Sequence, residues 1–150
     1  MKYKIIFLVL VVIIASILIF ALKNNKKENI DIKNDKEKIY ELFNNFPESQ
    51  NIYYSCKSLY SERSIGPTIY QLDILAELTD GAYESFINQV EFEDLDNIEV
   101  VVNPLNKEYN WKKVKNIDII ASRDIETASI NSIYLDEDEK TIYIVAVGGN

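Results

Sequence analysis

The chain has 150 residues, no histidine, one cysteine, and 24 acidic against 16 basic side chains, for a net charge of −8 at pH 7. A single cysteine closes no internal disulfide, and without histidine the Ser-His-Asp and Cys-His catalytic arrangements and any imidazole zinc site are excluded. Only four glycines occur, two of them at positions 148 and 149, which leaves no phosphate-cradling loop and no reason to expect a cofactor.

In chain order, residues 1–4 are a short stub carrying Lys2 and Lys4. Residues 5–22, IIFLVLVVIIASILIFAL, run without a charge, and Ser16 is the only polar side chain. As a helix this run is about 27 Å long, close to the roughly 30 Å hydrocarbon core of a bilayer. The expectation is a transmembrane helix. A cleaved signal peptide competes with it, but that needs an apolar region of about 7 to 15 residues and a small-x-small site. The run is longer, and its best match, Ile19-Phe20-Ala21, is poor. A lipid anchor needs a cysteine just after the run, and the only one is Cys56. A helix apolar all round is a lipid-facing pattern rather than the single stripe of a soluble core helix. Lys2 and Lys4 flank one end and Lys23, Lys26 and Lys27 the other, so the charge rule for orientation is nearly tied. The orientation adopted is N-terminus cytoplasmic and large domain outside, because such an apolar run resembles an uncleaved export signal.

Residues 23–33 read as a polar tether, and residues 34–150 as one acidic α+β domain. The domain should have about two helices packed on a mostly antiparallel sheet, with a C-terminal β-hairpin. Asn34 with Glu37 makes a capping-box start, and Ile39, Leu42, Phe43 and Phe46 form one apolar stripe that Pro47 ends. Residues 53–68, YYSCKSLYSERSIGPT, read as a hydroxyl-rich loop turning at Gly66-Pro67 into a strand. In that strand Tyr70, Leu72, Ile74, Ala76 and Leu78 share one face while Gln71, Asp73 and Glu77 take the other, the pattern of a half-buried antiparallel strand. Thr79 or Asp80 caps a second helix with the stripe Tyr83, Phe86, Ile87, Val90. Short strands are expected over 98–102 and 116–122, and a hairpin over 129–135 and 141–147 with its acidic turn at 136–140. The last strand is apolar on both faces and should be central, and residues 148–150 should fray.

Charge narrows the partners. Outside the first 22 residues there are 14 basic and 24 acidic side chains, and from 47 to 106 only Lys57 and Arg63 stand against eleven acids. Such a domain is repelled by phosphate backbones and anionic headgroups, so no nucleic acid partner is expected. The lysine, isoleucine and asparagine bias is that of an AT-rich, bacterial coding sequence.

Four features could carry chemistry. Cys56 beside Lys57 could be an activated thiol, but a lone cysteine is more often a small hydrophobe. A Ser-Lys dyad would need Lys57, Lys107 or Lys113 placed by the fold. The acid clusters 91–96 and 136–139 lack the alternation and glycine of a calcium loop, and the second suits a solvated hairpin turn, so no metal is expected. Tyr53, Tyr54 and Tyr60, with Arg63 nearby, could form a partner-binding patch, since tyrosine pairs an apolar ring with a polar tip; the plainer reading puts these rings on strands and core edges. Together these features lead to the expectation of a single-pass envelope protein whose external domain is a non-catalytic accessory, sensor or immunity-like module binding an envelope protein or glycan. The alternative is an envelope hydrolase using a carboxylate pair or a Ser-Lys dyad.

Overall fold

The computed structural model describes residues 30–59, 69–95, 98–122 and 128–149. Among these no helix is long and apolar enough to cross a membrane, and the apolar run 5–22 lies outside them.

Helix α1 (Lys36–Leu42) is capped by Asp35, whose side chain accepts the Lys38 N–H at 3.2 Å. The expected cap at Asn34 is thus displaced by one residue, and the helix is a turn shorter than the apolar stripe implied. Phe43–Asn44 forms strand β1, which pairs antiparallel with β6 (Ala121–Ser122), and Asn45 turns the chain at a left-handed φ of 57°. Phe43 and Phe46 are still buried. The spacing marked core positions correctly, but the ladder with β6 took over the backbone hydrogen bonds of the helix's expected last turn.

Strands β2 (Ser49–Ser58) and β3 (Ile69–Leu78) pair antiparallel, with Tyr54 opposite Ile74 and Ser55 opposite Asp73. The first six residues of the supposed 53–68 loop are therefore strand. Serine and an exposed cysteine at the strand end lack the β-branched, alternating signature that would have marked them. Helix α2 (Asp80–Ile87) follows, with Thr79 Oγ1 accepting the Ala82 N–H at 3.3 Å.

Two short strands were not foreseen, β4 (Phe92–Glu93) and β5 (Lys112–Val114). The C-terminal hairpin is as expected, β7 (Ser129–Asp136) and β8 (Thr141–Gly149). The six-stranded antiparallel sheet has the order β2-β3-β8-β7-β5-β4, so the doubly apolar β8 is indeed central. Gly148 and Gly149 pair with Tyr70 and Ile69 rather than fraying. The strand expected at 98–102 joins no ladder, and 116–122 yields a 3-10 turn (Ile117–Ile119) and the two residues of β6.

Both faces of the sheet are covered. Ile39 of α1 and Phe86 of α2 pack on one face with Ile52, Tyr54, Ile74, Ile133, Leu135, Ile142 and Ile144. On the other, Leu75, Tyr134 and Tyr143 lie under Val102 and Trp111, with Ile32, Ile98 and Tyr109 packed at the margin. The described residues thus form a small α+β domain with two helices and an antiparallel sheet. Strand β3 is buried on both sides, not half-buried, because the irregular segment 98–111 lies over its second face.

Candidate functional site

Strand alternation decides which side chains of β2 and β3 meet. Ile52 and Tyr54 go to the helix side with Leu72 and Ile74, whereas Tyr53 packs on the other side with Leu75. In the same register Ser55 and Lys57 share that second face with Asp73 and Gln71, their cross-strand partners.

Just beyond the edge of the core segment, these strands floor a cleft of about 530 Å³ lined by Ile30, Asp31, Ser55, Cys56, Lys57, Gln71, Asp73, Glu99 and Val101, with Leu59 at its end. Two smaller hollows lie elsewhere, about 370 Å³ beside α2 and about 180 Å³ beside the 3-10 turn. One wall of the cleft is positioned by the segment ahead of α1, where Lys33 and Tyr54 exchange backbone hydrogen bonds of 2.8 and 2.9 Å. The other wall is positioned by the Val101 N–H, which donates to the Tyr143 hydroxyl at 3.0 Å.

Asp73 is 2% exposed and sits at the floor. Its Oδ1 accepts the Tyr143 O–H at 2.8 Å and its Oδ2 accepts the Gln71 Nε2–H at 2.9 Å. Burial pushes the Tyr143 phenol well above its ordinary value; the Val101 N–H pulls the other way, and the neighbouring Asp73 charge adds to the rise. The phenol therefore stays protonated and donates to the carboxylate. One hydroxyl thus joins the sheet, the floor acid and the covering segment.

Of the sequence-derived candidates, Cys56 and Lys57 meet at the cleft, and the others among the described residues lie apart from it. Tyr54 is a core residue and Tyr53 points to the opposite face, so the two share no surface; Tyr60 and Arg63 lie outside the described residues. Cys56 is exposed and unbridged, at the lining of the cleft beside Lys57. Lys107 pairs with Glu139 at 2.5 Å and Lys113 with Glu93 at 2.8 Å, and neither lines the cleft. Asp136 is buried rather than solvated as a turn residue, because it accepts the N–H groups of Glu139, at 2.8 Å, and Asn110. Among the described residues no three His, Cys, Asp or Glu side chains are grouped to hold a metal ion.

Asp73, Gln71 and Glu99 were not singled out from the sequence. A signal existed for Asp73: an acid flanked by Leu72 and Ile74 in a strand bordered on both sides is a buried carboxylate, but only if the second face is known to be covered. Compared with known proteins, the chain matches no family model, no curated protein and no solved structure.

Proposed function

We propose that this is a single-pass membrane-anchored protein whose acidic α+β domain lies outside the cytoplasm and works by contact, as a non-catalytic accessory, sensor or immunity-like module of the cell envelope. The observation that carries this reading is the joining of a bilayer-length uncharged run, residues 5–22, to a strongly acidic domain. The run supplies the anchor. The acidity holds the domain off anionic headgroups and leaves it open to a protein or glycan partner. Protease added to intact spheroplasts should remove a C-terminal tag without lysis, and survival of the tag until the membrane is opened would refute the topology.

A hydrolase is the second reading, and one arrangement favours it. Ser55 and Lys57 alternate onto the same face of β2 and line the same cleft as Asp73 and Glu99. Against it, Asp73 is already engaged by Tyr143 and Gln71 in a manner that fixes its position. Labelling of the full chain by a fluorophosphonate probe, lost in Ser55→Ala, would replace the contact reading with this one.

A further inference from the structure

We infer that the cleft seats the ammonium group of a lysine-bearing extended segment of the partner protein, with Asp73 as the counter-charge at its floor. This rests on the contact reading above. Buried carboxylates are normally paired with a cation, because an isolated charge is costly to remove from water. Asp73 is 2% exposed, yet its two side-chain partners, Tyr143 and Gln71, are both neutral. The ion pairs among the described residues go to other carboxylates. A carboxylate offers about four lone-pair positions, so two hydrogen bonds leave Asp73 able to accept another donor from the cleft.

The surroundings select the kind of cation. Asp31 and Glu99 add two carboxylates to the lining against Lys57. Asp31 also stands 3.5 Å from Lys33 in an exposed pair that solvent screens, so with Asp73 three acids face two lysines and the cleft keeps a net negative charge. Both Asp73 oxygens already accept a hydrogen bond, which removes the open face that a guanidinium grips with two parallel bonds. A compact ammonium needs only one free direction. Ile30 and Leu59, 44% and 47% exposed at the cleft's margin, give apolar surface for a lysine stem and for neighbouring aliphatic side chains. A volume of about 530 Å³ falls within the roughly 300–1,000 Å³ of ligand-binding clefts.

The test is an amide chemical-shift titration of the full chain in neutral detergent micelles at low salt. Three probes are compared: a capped peptide with lysine between isoleucines, its Nε-acetylated twin, and spermidine. The lysine peptide should shift Ser55, Gln71, Glu99 and Val101, and the acetylated twin should bind at least about tenfold more weakly, since it cannot charge-pair. Glu99→Gln with Asp31→Asn should weaken binding severalfold, and added salt should do the same. Asp73→Asn should abolish binding while the far-UV spectrum holds; should that variant unfold, the acetylated twin and the Glu99→Gln pair decide, since both leave the floor intact. Equal binding of the twin, or no shift at these residues up to millimolar peptide, overturns the inference. Shifts with spermidine but not with the peptide would assign the cleft to a small polyamine and overturn it equally. Crosslinking of the external domain to a partner that Glu99→Gln and Asp31→Asn leave unchanged would sink this inference while the contact reading survives.

Discussion

Replacing Tyr143 by phenylalanine isolates the contact that joins the two sides of the domain. The ring stays in place, packed against Trp111 and Tyr134 with centroids 5.9 and 6.4 Å away, so no cavity opens. What disappears is the hydroxyl that donates to Asp73 at 2.8 Å and accepts from the Val101 N–H at 3.0 Å. A hydrogen bond to a charged group contributes about 1.5–3 kcal/mol and an ordinary one about 0.5–1.5, so the expected loss is about 2–4 kcal/mol. With a urea dependence of about 1–3 kcal/mol per molar, the unfolding midpoint should fall by about 1–2 M at unchanged slope. Urea unfolding of the full chain in neutral detergent, followed by far-UV circular dichroism, reads this directly. The double variant with Asp73→Asn should show a coupling above about 0.5 kcal/mol, as expected for groups in contact. A loss under about 0.5 kcal/mol with no coupling would refute the argument, because it would mean that water replaces the hydroxyl and the covering segment is held by packing alone.

Two further outcomes follow from the same region. Leu75 is fully buried beneath the covering segment, so Leu75→Ala should cost about 2–5 kcal/mol, whereas a strand exposed on that face would lose only about 0.5. The folded Tyr143 phenol holds its proton above the ordinary 10.0, so the unfolded chain ionises first as pH rises. Its contribution is therefore complete below about pH 10 and is lost as pH climbs toward the folded value. Urea midpoints measured between about pH 9 and 11 should fall for the wild-type chain and fall less for Tyr143→Phe; equal slopes would show that this phenol is not the linked group.

The sequence by itself determined what local pattern can carry. The eighteen-residue uncharged run, the Thr79 cap, the stripe of α2 and the β7–β8 hairpin each depend on neighbours within a few residues. The doubly apolar composition of β8 also announced its central place, since only a strand covered on both sides can bury both sets of side chains. Core membership was equally legible at Phe43 and Phe46, whose burial survived the replacement of their helix by a strand.

Tertiary structure decided the rest, because the deciding partners are distant in sequence. Phe43 and Asn44 leave the helix for β6, nearly eighty residues later. Residues 53–58 became strand through pairing with β3, although their serines and cysteine carry no strand signal of their own. Above all, segment 98–111 forms no ladder, yet by lying across the second face it turns the outward side of β3 into core and Asp73 into a buried acid at the floor of a cleft. Period-2 alternation states which side chains share a face; what covers that face is set by packing between remote segments, and in this protein the covering determines where an acid, a phenol and an open cleft meet.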